Sequence, residues 1–192
     1  DVYDVMNEHA EKIPAGSYGM LCCFSDVMNY IHWTHSSPTF TNFELDPEKF
    51  NKYTFYRAIL ENTALLVRGH IDLVREATGN EPDELMFAGG ASKSPLWSQI
   101  VADVTGKTVK VPVVKEATAL GAAIIAGTGV GIYPSVSEGA KQVVKFERTF
   151  EPNPENTAVY EELYKTWREV YKAQFALSEA GVTKSMWRAP GL

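Results

Sequence analysis

ELMFAGGASKSPLWSQIVADVTG, residues 84–106, reads as a strand, a tight glycine turn and a helix, and the rest of the chain is placed from it. Leu85, Met86, Phe87 and Ala88 form a short apolar run bounded by turn signals, the pattern of a strand covered on both faces. Gly89 and Gly90 end the run, because two residues without a Cβ let the backbone turn and let a ligand approach it. Ser92 and Ser94 are good helix N-caps, and Pro95 suits a first helical turn because it has no N–H to leave unpaired. Leu96, Trp97, Ile100, Val101 and Val104 follow at helical spacing, with Gly106 placed to close the helix. Free N–H groups and the positive end of a helix dipole suit an anion or a nucleotide. Strand–helix packing explains the same glycines, so both readings stand at this point.

Composition narrows the class. With 192 residues and 45% apolar side chains the chain is long enough for one good core, and a single domain over 1–192 is expected. A formal charge of -6 offers no basic stripe for nucleic acid or an anionic membrane, so neither is expected as a partner. No apolar run approaches the roughly 18 residues that span a bilayer. Cys22 and Cys23 are adjacent in an apolar run, too close for an ordinary disulfide, and read as core thiols of a cytoplasmic protein. The chain opens on Asp1 in helix-like sequence with no signal-peptide pattern, as a piece of a longer chain would.

Upstream of the turn, Val2, Val5, Met6 and Ala10 mark an amphipathic helix ending near Pro14, and residues 19–24 a buried strand. Periodicity is lost over residues 25–45, read as a long ordered loop with a short hairpin at most. His32 and His35 lie there without a third ligand or an orienting carboxylate, so they read as loop or interdomain contacts rather than metal ligands. Asp46-Pro47-Glu48-Lys49 looks like a helix start, and a long helix is predicted from about Lys52 to Thr78 with Ile59, Leu60, Leu66, Val67, Ile71 and Val74 as its stripe.

Downstream, Lys107 to Val113 reads as a β-branched strand, and Ala117 to Ala126 as a helix of small residues expected to pack closely on a neighbour. Gly106-Lys107-Thr108 resembles the end of a P-loop but follows a helix instead of opening one. A helix over Ser135 to Val143, a strand from Lys145 to Phe150 and a last helix from Asn153-Pro154 to about Ala180 complete the order, with Val159, Leu163, Trp167, Val170, Gln174 and Leu177 on the inward side. Residues 184–192 read as an irregular tail.

Element order and wording together carry a resemblance. The Gly-Gly-Ala-Ser turn at 89–92, Leu96-Trp97-x-Gln99 and Ala102-Asp103 on the helix, and Glu116-Ala117-Thr118-Ala119-x-Gly121-Ala122-Ala123 resemble, in order and spacing, the C-terminal lobe of the FGGY carbohydrate kinases. Arg57-Ala58-x-Leu60-Glu61-Asn62 fits the helix that precedes the turn in that family. The resemblance implies an α/β fold: an actin/hexokinase-like (ribonuclease H-like) ATPase lobe, three-layered and missing its opening strands. It implies ATP and Mg2+ as cofactors, with Gly89, Gly90, Ala91, Ser92 and Ser94 lining the nucleotide site. The Gly90 backbone would lie near the α-phosphate or ribose and Ser94 near the adenosine, while Glu116 to Ala123 would support the site.

No Asp-x-Gly-Thr phosphate loop occurs here, so the catalytic base and most sugar contacts are expected in a missing N-terminal lobe. No catalytic residue is assigned to this chain, and alone it is expected to be inactive. Residues 24–40, VVKFERTFEPNPE at 143–155 and SMWRAPGL at 185–192 resemble the family members that phosphorylate a quorum-sensing molecule derived from dihydroxypentanedione more than xylulose or glycerol kinases. The phosphocarrier protein HPr is implied as a partner on the same basis, and a homodimer is carried beside it as a further partner expectation. Two alternatives stay open: a kinase of another keto-sugar or polyol such as xylulose, and a non-catalytic assembly or regulatory module.

Overall fold

A computed structural model describes residues 1–24 and 34–188. In chain order these form α1 (Val2–Glu11), β1 (Leu21–Cys23), β2 (Thr34–His35), β3 (Thr39–Thr41), α2 (Lys52–Thr78), β4 (Glu84–Met86), α3 (Pro95–Thr105), β5 (Thr108–Pro112), α4 (Ala117–Gly129), α5 (Val136–Val143), β6 (Phe146–Phe150), α6 (Pro154–Glu179) and β7 (Trp187–Arg188). Short 3-10 turns occupy Ser17–Gly19 and Gly90–Lys93.

The helices start where side chains can take up the first free N–H groups. Asn51, Ser94, Ser135 and Asn153 each accept a backbone N–H at the head of α2, α3, α5 and α6. Gly79 and Gly106 close α2 and α3 in the left-handed conformation, at φ 71° and 65°. Asp46 accepts from the N–H groups of Glu48 and Lys49, but the segment is a capped turn and α2 begins only at Lys52.

Strands β4, β5 and β6 make one sheet with β5 central, parallel to β4 and antiparallel to β6. Leu85, Phe87, Val109 and Phe150 on one face of this sheet pack with Leu96, Trp97, Ile100 and Val104 of α3. The strand before the glycine turn is therefore covered on one face, not both. Met86 on the other face is 73% exposed, and Glu84 pairs there with Lys110 at 2.7 Å. The apolar run at 85–88 conceals an alternation, because Met86 is apolar yet points away from α3.

The main core joins α2, α3, α6 and β1. Leu60, Ala64 and Leu65 meet Ile100, Val101 and Val104, with Trp167 and Tyr160 wholly buried between them. Cys22 and Cys23 are both buried in β1, which pairs with β3. Burial pushes the Cys22 thiol up to about 12, reinforced by Cys23. On α6 the stripe is displaced from the expected one. Trp167 is central as predicted, but Tyr160, Tyr171 and Ser178 are buried while Val159 and Leu177 are exposed. Rings with a polar tip fill this interface because the core offers hydrogen-bond partners to Tyr160 and Trp167.

Three further expectations change. Val2 and Val5 of α1 are exposed, so that helix buries little beyond Ala10. Helix α4 packs closely only at its end, where Gly127 and, from α5, Gly139 make room for Tyr133. A Cβ built on its Gly121 would meet no atom within 4 Å and Ile125 is 61% exposed, so the expected close neighbour along the small-residue face is absent among the described residues. The tail is not wholly irregular, since Trp187–Arg188 pairs antiparallel with Thr34–His35. His32 lies outside the described residues; His35 is in β2, its ring 5.7 Å from that of Trp187.

Candidate functional site

The glycine turn leaves the parallel edge of the sheet and enters α3. Phe87 N–H still donates to Lys110 O at 3.0 Å, and Gly89 N–H donates to Lys115 O at 2.9 Å. Gly89 then adopts φ 86°, ψ -170°, a conformation essentially restricted to glycine. The chain makes one 3-10 turn over Gly90–Lys93 before α3 begins, so the helix does not follow the glycines directly. This intervening turn has a cause in the sequence. Ser94 is extended to cap α3, accepting Trp97 N–H at 3.1 Å, and Pro95 biases its predecessor to that extended form.

Ser92 is fully buried and looks inward: its hydroxyl donates to Gly89 O at 2.8 Å, closing the turn on itself. Arg148 of β6 donates from Nη2 to Ser92 O at 2.8 Å. The N–H groups of Gly90 and Ala91 lead the turn and so have no preceding turn carbonyl to bond. A Cβ built on Gly89 or Gly90 meets no atom within 4 Å. A ligand can therefore come close to this backbone, and the donor set suits an anion.

The expected site residues are together, but not in one role. Gly89, Gly90 and Ala91 form the open part of the turn, Ser92 holds it shut from inside, and Ser94 caps α3. Ser94 Oγ is already engaged by Trp97 N–H, and Ser94 O accepts from Ser98 Oγ at 3.0 Å. Lys115, Glu147 and Arg148 surround the turn and were not singled out from the sequence. Lys115 Nζ meets Glu147 Oε1 at 2.6 Å, and the hydrogen bond from Lys115 holds the Glu147 carboxyl below its usual range against the opposing effect of desolvation. The only sequence signal is the charge alternation in KFER at 145–148.

Two sets of part-buried hydrogen bonds set α3 against its neighbours. Trp97 Nε1 donates to Thr63 Oγ1 of α2 at 2.8 Å. Asp103 accepts from Gln99 Nε2, Asn153 N–H and Asn156 Nδ2 at 2.7 to 2.8 Å, fixing the start of α6 against α3. A cavity of about 280 Å3 lies beside this cluster, lined by Arg57, Leu96, Gln99, Asp103 and Phe150 among others, and no residue of the glycine turn at 89–94 lines it. Among the described residues no group of three or more His, Cys, Asp or Glu is placed to hold a metal ion, and no helix is long and apolar enough to cross a membrane.

Comparison with known proteins bears on the family and the fold. The model of the C-terminal domain of the FGGY family of carbohydrate kinases matches residues 2–130. Over all 192 residues the chain is 50% identical to autoinducer-2 kinase of Salmonella choleraesuis strain SC-B67 and 47% identical to that of Yersinia enterocolitica. It spans 36% of the length of these relatives. Among solved structures, xylulose kinase from Rhodospirillum rubrum superposes with a TM-score of 0.74 at 24% identity, over 91% of this chain and 34% of that one. Glycerol kinase from Plasmodium falciparum, solved with ADP, gives 0.70 at 20% identity, over 88% and 33%. These two likenesses bear on the fold alone: they place the chain's architecture with a lobe of the sugar and polyol kinases, the ribonuclease H-like class read from the sequence.

Proposed function

Because the chain belongs to the FGGY family of carbohydrate kinases, we propose that it is the nucleotide-holding part of an ATP-dependent kinase whose acceptor is a hydroxyl of autoinducer-2, the dihydroxypentanedione-derived signal. The glycine turn carries this reading: its leading N–H groups and open approach at Gly89 and Gly90 suit a nucleotide phosphate or ribose on a protein with a charge of -6. The substrate is supported by relatives named autoinducer-2 kinase at 45 to 50% identity over the whole chain.

In this reading Gly89, Gly90 and Ala91 receive the nucleotide, while Ser92 and Ser94 shape the turn from behind. The described residues lack an acidic cluster for Mg2+, so a metal would ride on the nucleotide phosphates and on groups outside them; when bound it neutralises phosphate charge. The catalytic base and most of the acceptor's contacts belong to the part of the relatives' length that this chain does not span. HPr as a partner rests on the resemblance, and a cytoplasmic setting on Cys22 and Cys23 read as core thiols.

Phosphoryl transfer needs both sides of a cleft, so the 192 residues alone should bind nucleotide without turnover. The test is a phosphorylation assay across autoinducer-2, xylulose, gluconate and glycerol. The chain alone is expected to give no product, and a protein of the relatives' full length carrying it should prefer autoinducer-2 by at least tenfold in kcat/KM. Preference for xylulose or glycerol would overturn the substrate, and turnover by the isolated chain would overturn the division of labour.

A further inference from the structure

Strand β6 sends one side chain to the rear of the glycine turn. Arg148 lies opposite Val111 just before the register shifts between Val111 and Pro112, on the face of the sheet where Val109 and Phe150 meet α3. From there its Nη2 donates to Ser92 O at 2.8 Å and its guanidinium sits 5.8 Å from the Phe150 ring centre, while its buried Nε lies 3.3 Å from Glu147 Oε1, an ion-pair contact that makes no hydrogen bond. Glu147 in turn binds Lys115 Nζ at 2.6 Å, and the Lys115 carbonyl receives Gly89 N–H at 2.9 Å.

These contacts close a circuit: Gly89, Lys115, Glu147, Arg148 and Ser92. It grips the turn at its entry and at its third residue while leaving the N–H groups of Gly90 and Ala91 outside the circuit, the Ala91 carbonyl being held by Ser94 N–H at 3.1 Å. The geometry points to Arg148 as the positioning residue of the nucleotide turn, which fixes the Ser92 carbonyl and so aims the N–H groups of Gly90 and Ala91 at the ligand. This inference rests on the reading of the turn as a nucleotide site. A planar fork suits the role, since it serves Ser92 and faces Glu147 at once, which a lysine's point charge cannot do in one geometry. The bond to Ser92 O also places positive charge behind the turn, on the side away from an arriving phosphate.

The experiment combines calorimetric titration of Mg-ADP with amide exchange and thermal melting, on the wild-type chain, Arg148→Met, Arg148→Lys and Glu147→Gln. Arg148→Met is expected to weaken Mg-ADP at least tenfold and to speed exchange at Ala91, Ser92 and Lys93 at least tenfold, with exchange in α6 unchanged. Arg148→Lys should recover part of both, and Glu147→Gln, at a partly exposed carboxylate, should shift both in the same direction by less. The inference is overturned if Arg148→Met leaves turn exchange and affinity within twofold of wild type, or if exchange rises equally in every element. If Arg148→Met does not fold, Glu147→Gln decides by the same two readouts. Absence of Mg-ADP binding by the wild type would sink the nucleotide reading, while the exchange pattern would still show whether Arg148 holds the turn.

Discussion

The Tyr160 hydroxyl of α6 donates to Glu61 Oε1 of α2 at 2.8 Å inside the core, where both residues are at most 2% exposed. Glu61 also accepts from Arg57 Nε at 2.9 Å, Gly16 N–H at 3.0 Å and Ser17 Oγ at 2.7 Å. Arg57 completes the cluster by donating to Ala10 O at 3.0 Å. One carboxylate thus ties α1's exit, α2 and α6 together. Burial opposes the Arg57 charge, but Glu61 and Tyr160 outweigh it and raise its pKa.

Removing one member leaves the other charge buried and unpaired. Glu61→Ala is expected to cost about 3–5 kcal/mol in urea unfolding. Adding Arg57→Met should restore a large part of that loss, because the orphaned charge goes with it. A single-variant loss below about 1 kcal/mol would show that the pair is solvated.

Alkaline pH should loosen the fold. Cys22 stands at about 12 against an ordinary 9.0, and burial, then Glu61, raises Tyr160 above its ordinary 10.0. Both groups are neutral when protonated, and the folded state keeps those protons longer than the unfolded chain. Their contribution is flat below about pH 9, and stability then falls by about 1.4 kcal/mol per pH unit for each group titrating only in the unfolded state. Urea midpoints at pH 8, 9, 10 and 11 should fall steadily above 9, and less steeply in Cys22→Ala. Unchanged midpoints from pH 9 to 11 would contradict the burial of both groups.

Helices α4 and α5 meet through two glycines around one ring. A Cβ on Gly139 would stand 2.9 Å from Ile124 Cγ2 and from the Tyr133 ring. Gly139→Ala should therefore destabilise by about 1–3 kcal/mol, as overpacking does. Gly139→Ala with Tyr133→Leu should recover part of the loss; a neutral single variant would mean that α5 moves freely on α4.

Capping and binding separate at Ser94. Its Oγ takes Trp97 N–H, so Ser94→Ala should cost about 1 kcal/mol of stability. Mg-ADP affinity should change less than threefold, because the contact the hydroxyl makes is the helix cap. A tenfold loss with unchanged melting would move Ser94 from cap to direct contact.

Much of this was legible from residue types at element ends. The span Lys52–Thr78 of α2 and the Asn153-Pro154 start of α6 were expected, and the structure supplies Asn51 and Gly79 as the caps of α2, where local capping chemistry decides. Burial was legible only where apolar periodicity and packing coincide, as at Leu60 and Trp167. It failed where polar groups are buried through distant partners: Glu61 looks like a surface residue until Tyr160, ninety-nine positions away, reaches it. The same limit hid Arg148, whose contact with Ser92 spans fifty-six residues, although Gly89 and Gly90 stood out at once. The open faces of β4 and α4 escaped for the opposite reason. Apolar sequence states what a surface prefers to meet, and among the described residues Met86 and Ile125 stay 73% and 61% exposed.

Calorimetric titration of Mg-ADP into the wild-type chain and Gly90→Val tests the nucleotide turn most directly. Gly90 does not have a positive φ and its Cβ position is open, so valine fits the fold while its branches crowd the ligand's approach. Saturable binding by the wild type, lost by at least tenfold in Gly90→Val with the melting temperature kept, is the predicted result. Equal binding by both, or none by either, would contradict a preformed nucleotide site at Gly89–Ala91.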